Sequence, residues 1–239
     1  SWNWKANGAG SANTDGSINS TVSVNTTAGF SVVKYTGTGS TATVGHGLGV
    51  TPKMIIFKNT SSAVDWRVYH ETLGNTNRLC LNDNSASNND DSAFNDTSPT
   101  STVFTVGGSS STNAGTMIAY CFAPKTGYSK FGSYTGNGNA DGTFVYTGFK
   151  PAFVMLKRTN STGSWSMYDN KRHTYNPNGE YLLANNSDAS VDFDNVDFLS
   201  NGFKLRDASF NNGSGDTIIY MAFAEAPLVG SNNTPCTAR

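Results

Sequence analysis

The sequence predicts an all-β protein: two tandem, homologous antiparallel repeats of β-sandwich or jelly-roll-like form, packed against each other. Three observations carry that expectation. Aromatic and β-branched residues abound while helix formers are scarce, with 14 Phe, 10 Tyr and 4 Trp among 239 residues. Short apolar runs alternate with Gly, Asn and Ser turns at hairpin spacing. The chain also repeats itself, and an internal repeat constrains every other assignment.

Tyr35-Thr36-Gly37-Thr38-Gly39 returns as Tyr134-Thr135-Gly136-Asn137-Gly138. Pro52-Lys53-Met54-Ile55-Ile56-Phe57-Lys58 returns as Pro151-Ala152-Phe153-Val154-Met155-Leu156-Lys157. Trp66, Tyr69 and Phe104 return as Trp165, Tyr168 and Phe203, all at an offset of 99, and residues 117–123 match 218–224 at 101. The expected organisation is therefore a lead segment or strand over 1–29, a first repeat over 30–127, a second over 128–227, and a tail over 228–239.

Element by element, the first repeat predicts strands over 30–36, 41–46, 53–59, 65–70, 77–82, 102–106 and 116–123. Helix is confined to a turn near 70–73. Trp66 and Val68 alternate against Arg67 and Tyr69, as Trp165 and Met167 do against Ser166 and Tyr168. A period of two gives each strand one core-facing side, so Trp66, Tyr69, Trp165 and Tyr168 are read as structural core pairs. Residues 54–57 and 117–123, with their copies, are apolar at consecutive positions. Such runs need cover on both faces, from the sister repeat, a neighbouring subunit, or the lead segment with Trp2 and Trp4. The first two are the expected cover.

Composition excludes several functions. Only 14% of residues are charged, against about 25% in an average globular chain. Asn, Ser and Thr occur 28 times each, so amides and hydroxyls wet the surface. A net charge of −1 supplies no field for nucleic acid or an anionic membrane. No apolar run approaches the roughly 20 residues of a membrane helix. The chain opens on Ser1 with no secretory signal, which reads as a piece of something longer. Cys80 and Cys121 lie in apolar runs as small buried hydrophobes, while Cys236 lies in the polar tail.

Chemistry is sparse. His46, His70 and His173 correspond across the repeat to Val145, Asp169 and Gly74, so the duplication kept no histidine. His46 reads as a turn residue and His70 as a strand-end surface residue. Asp65, Glu71, Asp169, Glu180 and Glu225 occupy turns and strand ends, with no spacing that sets two across a cleft for glycoside hydrolysis. No catalytic residue and no required cofactor are assigned. Asp192, Asp194 and Asp197 are the candidate calcium ligands, although a strand would separate them. The glycines of 45–49 lead into a strand rather than a helix, which removes a phosphate loop. Tyr134, Tyr175, Asn176, Tyr181 and Asn211 remain as candidate ligand-binding residues, since rings stack on sugars and amides bond their hydroxyls.

Trp4-Lys5-Ala6, residues 13–17, 29–40, 44–56, 128–138 and 148–157, and the closing 219–227 together resemble a domain of virion proteins in marine tailed bacteriophages. The resemblance spans nearly the whole chain. It implies the C-terminal part of a tail-fibre-like or other surface-exposed structural protein, on the exterior of the virion, and carries over no catalytic residues. The expected function is a non-enzymatic receptor-binding or fibre module that contacts a host receptor or glycan. It would be a homo-oligomer, with a trimer favoured, beside other virion proteins. The alternatives are a capsid-decorating or filament-forming protein without ligand recognition and, third, a glycan depolymerase.

Overall fold

The computed structural model describes residues 2–225, and of Asp194 the backbone alone. The tail over 228–239 with Cys236, and the end of the second repeat at Pro227, lie outside the described residues. The described chain is all-β, built on antiparallel sheets. It divides into two compact units: unit 1 is residues 1–81 and 87–124, and unit 2 is residues 82–86 and 125–239.

Unit 1 holds ten strands. They are β1 (Ser11–Asn13), β2 (Ser20–Asn25), β3 (Phe30–Thr38), β4 (Ala42–Gly45), β5 (Met54–Asn59), β6 (Arg67–His70), β7 (Asn77–Cys80), β8 (Asn88–Asn89), β9 (Val103–Val106) and β10 (Ala114–Phe122). Eight form one sheet in the order β1-β2-β3-β10-β5-β6-β7-β8, and β4 pairs with β9 alone. The core takes alternate residues of the large sheet: Val33 and Tyr35, Ile55 and Phe57, Met117, Ala119 and Cys121. Opposite them stand Val44, Phe104 and Val106 of the small sheet, with Phe94 from a helical turn, α1 (Asp91–Phe94). Phe104 meets Phe57 edge-on with ring centroids 5.3 Å apart. The apolar closing strand β10 turns its other face away from this core. Ile118 and Tyr120 on its second face are only half-buried, and Trp4 of the lead segment lies edge-on against Phe122 at 5.9 Å.

Unit 2 holds β11 (Ser129–Thr135), β12 (Phe144–Tyr146), β13 (Phe153–Arg158), β14 (Ser166–Asp169), β15 (Asn178–Leu183), β16 (Val191–Leu199), β17 (Gly202–Leu205) and β18 (Thr217–Phe223). All eight belong to one sheet, β11-β18-β13-β14-β15-β16-β17-β12. Its two edges come together. Lys130 on β11 donates to the carbonyl of Tyr146 on β12 at 2.7 Å, and the Thr143 hydroxyl donates to the Thr135 carbonyl at 3.0 Å. The sheet thus nearly closes into a barrel. Tyr134, Val154, Leu156, Tyr168, Val196, Phe203, Leu205 and Tyr220 fill it.

The Tyr-Thr-Gly-x-Gly segments are explained by one buried device in each unit. The Tyr35 hydroxyl donates to the Thr112 carbonyl, and the Tyr134 hydroxyl donates to the Asn211 carbonyl at 2.8 Å. The next residues, Asn113 and Asn212, are fully buried. Asn113 accepts from the Thr38 N–H at 2.9 Å and donates to Ser40 and Gly107 carbonyls. Asn212 accepts from the Asn137 N–H at 3.1 Å and donates to Asn139 and Asp207 carbonyls. Each amide side chain thereby stands in for a missing strand partner, as buried polar groups require. Gly37 and Gly136 are obligatory here: a Cβ on either would lie within 3.0 Å of the backbone at 113–114 or 212–213.

Candidate binding surface

The exposed aromatics among the described residues are Phe144, Tyr146, Tyr175 and Phe193, all in unit 2. β12 sets two of them. It is an edge strand of Phe144-Val145-Tyr146 whose alternation buries Val145 and turns both rings outward. The Lys130 ammonium that bridges the barrel seam also sits 5.2 Å from the Tyr146 ring centroid, a cation–π contact. Tyr175, 78% exposed, belongs to the loop after β14. Its neighbour Asn176 anchors that loop to β16, donating to the Phe198 carbonyl at 3.0 Å and accepting from the Phe198 N–H at 2.9 Å. Phe198 pairs with Phe203, and Phe203 with Val145. The Tyr175 loop is therefore tied down about two strand spacings, roughly 10 Å, from β12.

Of the residues expected to bind ligand, Tyr175 and Asn176 are at the surface and Tyr134, Tyr181 and Asn211 are not. Tyr134 and Asn211 form the buried bond described above. The Asn211 amide also donates to the Tyr168 hydroxyl at 3.1 Å. Tyr181 packs between Tyr168 and Phe210, at 5.4 and 5.2 Å. Burial raises the hydroxyl pKa values of Tyr134 and Tyr168 far above the ordinary range. Sequence reasoning missed Lys130, Phe144, Tyr146 and Phe193. The available signal was the aromatic–Val–aromatic alternation of 144–146 beside a glycine-rich turn.

Of the expected core pairs, Tyr69, Tyr168 and Trp165 are buried, and Trp66 is the exception. Tyr69 and Tyr168 enter the two main clusters, whereas the tryptophans face the opposite side of the sheet. Trp165 is 1% exposed, but Trp66 is half-buried, with the Lys58 ammonium 5.3 Å from its ring. His70 is buried rather than a surface residue, and His46 is buried as well. Nε2 of His46 faces the Thr100 carbonyl at 3.2 Å and Nδ1 accepts from the Leu48 N–H at 3.2 Å, so the neutral ring satisfies both neighbours. Burial holds its pKa below the usual 6.5. His70 caps the 3₁₀ turn Glu71–Leu73, its Nδ1 lying 2.9 Å from the Thr72 hydroxyl.

Four of the five candidate carboxylates are engaged in ion pairs. Asp65 meets Arg67 at 3.1 Å, Asp169 meets Arg172 at 3.4 Å, Glu71 pairs with Lys53 and Glu225 with Lys171. Asp192 and Asp197 lie on β16 five residues apart, a span of about 16 Å along a strand. Asp197 is buried against Arg206 at 2.5 Å, and the Asp194 side chain lies outside the described residues. No group of three metal-ligating side chains occurs among the described residues. Cys80 and Cys121 carry thiols rather than a disulfide. Burial pushes the Cys121 thiol up to about 12, and Cys80 lies 2.6 Å from the Arg67 guanidinium. No helix of the described residues is long and apolar enough to cross a membrane, which says nothing of a β-barrel.

One family model, a Domain of unknown function (DUF7483), matches residues 1–227. No curated protein and no solved structure matches the chain.

Proposed function

The chain belongs to the DUF7483 family, and from that premise we propose that it is a non-enzymatic display module of a phage virion, a tail-fibre or receptor-binding domain that contacts a host-surface glycan or receptor. The observation that carries this reading is the set of exposed rings on unit 2, Phe144, Tyr146 and Tyr175, within a surface built from amides and hydroxyls. Aromatic faces stack on sugar rings, and a polar, weakly charged rim bonds their hydroxyls without screening losses in salt. Tyr146 is already steadied by Lys130, so less freedom is lost on binding.

We further infer that the two units are one ancestral β module used twice, as the 99-residue offset and the paired Tyr–Asn devices suggest. The favoured assembly is a homo-oligomer, a trimer in the first instance. A structural role without ligand recognition is the second reading, favoured by the unequal burial of Lys58 and Lys157 developed below. A depolymerase has less support, because four of the five candidate carboxylates sit in ion pairs. Purified chain added to host cells should block adsorption of a phage that carries it. Undiminished adsorption at saturating chain concentration would remove the receptor-binding role.

A further inference from the structure

Two lysines one repeat offset apart have unequal surroundings. Lys157 on β13 is fully buried and donates to three carbonyls, those of Gly163, Asn84 at 3.0 Å and Ser85 at 2.8 Å. The Gly163 N–H also donates to the Asn84 carbonyl at 2.8 Å. Residues 82–86, which belong with unit 2, therefore form a cap over this ammonium. A turn centred on Asp83 shapes the cap: its carboxylate accepts from the Ser85 hydroxyl at 2.6 Å and from the Asn84 N–H at 2.7 Å.

Lys58 on β5 retains the local part of that arrangement. It donates to the carbonyl of Val64, the counterpart of Gly163, at 3.0 Å. An ammonium has three donors, and a carbonyl cap like that of Lys157 would use the other two. Around Lys58, Trp66, Ile118 and Tyr120 are half-buried, whereas their counterparts Trp165, Ile219 and Met221 are buried.

The sequence also holds a second cap. Asn185-Asn186-Ser187-Asp188-Ala189-Ser190 stands where Asn82-Asp83-Asn84-Ser85-Ala86-Ser87 stands in the first half. The equivalence is structural at its start, since the Leu81 N–H donates to the Trp66 carbonyl and the Ala184 N–H to the Trp165 carbonyl, both at 2.9 Å. The turn is the same: Asn186 Oδ1 accepts from the Asp188 N–H at 3.2 Å, as Asp83 Oδ1 accepts from the Ser85 N–H at 3.3 Å. Residues 186–190 are exposed.

We propose that the 185–190 loop of one copy caps Lys58 of a second copy of this chain, with the carbonyls of Ser187 and Asp188 in the places of Asn84 and Ser85. The Asp188 carboxylate brings a negative charge toward the ammonium, which strengthens such a bond. The Val64 N–H is already donated to the Ser62 carbonyl at 3.0 Å, so the lysine bonds define the contact. Donor and acceptor lie on different patches. The contact is head-to-tail and yields a closed ring or an open filament according to its rotation. It goes beyond the attachment role and does not rest on it: a chain that assembles this way and adsorbs to no cell leaves it standing.

Sedimentation of the full chain should show association that grows with concentration up to about 1 mM, where even a contact with a millimolar constant is half formed. Lys58→Met and Asp188→Lys should each weaken association at least tenfold, with folding confirmed by thermal melts. An equimolar mixture of the two should recover a dimer, because each supplies the half that the other lacks. Asp188 is on an exposed loop, so that variant keeps the test valid if Lys58→Met fails to fold. A chain monomeric at every concentration, variants that associate like the parent, or a mixture that stays monomeric would overturn the proposal.

Discussion

Unit 1 and unit 2 order their central strands alike, β3-β10-β5-β6-β7-β8 against β11-β18-β13-β14-β15-β16, yet they close differently. The difference lies in one strand. In unit 2, residues 191–199 carry Val191, Phe193, Val196, Phe198 and Leu199, and they form the nine-residue β16 that joins the sheet to β17 and β12. In unit 1, the stretch after β7 is rich in Asn and Asp. It yields the two-residue β8 and the helical turn α1, which drops Phe94 into the core and leaves β4-β9 as a separate small sheet. Asn and Asp favour turns through local side-chain bonds, while Val and Phe favour a strand. The closed unit is also the one that displays its aromatics. A barrel seam fixes Tyr146, where a two-layer unit would leave a mobile edge.

The largest effect should come from the devices that the two units have in common. Asn113→Ala and Asn212→Ala each strand buried backbone groups and should cost about 3–5 kcal/mol in denaturant unfolding. Costs that differ widely between the two would break the equivalence. The lysines should separate next. Lys157→Met removes a buried ammonium's bonds to three carbonyls and should cost about 2–3 kcal/mol, while Lys58→Met should cost under about 1 kcal/mol.

A pH titration sharpens the comparison further, because the position equivalent to His46 is Val145. The folded pKa of His46 lies below its ordinary 6.5, so the unfolded chain binds the proton more tightly. The histidine's contribution is complete above pH 6.5 and is lost as pH falls through the lower folded value. Amide exchange at pH 5 against pH 7.5 should therefore show loosening around β4 and β9 of unit 1, with β12 and β17 of unit 2 unchanged. The smallest effect on stability should come from Tyr146→Ala and Tyr175→Ala, each within about 0.5 kcal/mol, read from the same unfolding curves.

The seven strands expected in the first half each lie within two residues of an observed strand, because alternation and turn glycines are local signals. What the sequence hid was which face of a strand met the core. Period two says that Trp66 and Tyr69 point apart, and only packing decides that Tyr69 is the inner one. The surface was half legible for the same reason. Tyr175 sits in a polar loop and reads as exposed, whereas Tyr134 sits in a comparable glycine-rich motif but is drawn inward by the Asn211 carbonyl 77 residues away. Pairing over that distance leaves no trace in local pattern. The lead segment was legible as a possible strand, yet its role in covering Phe122 through Trp4 depends on the sheet being assembled first.

We propose a division in which the frame holds the fold and the exposed rings of unit 2 do the binding. Its most direct test compares the parent chain with a Tyr146→Ala, Tyr175→Ala double variant as competitors of phage adsorption to host cells. The parent should block adsorption, and the equally stable double variant should need at least about tenfold more chain, a loss of about 1.4 kcal/mol. Equal blocking by the two proteins would contradict it.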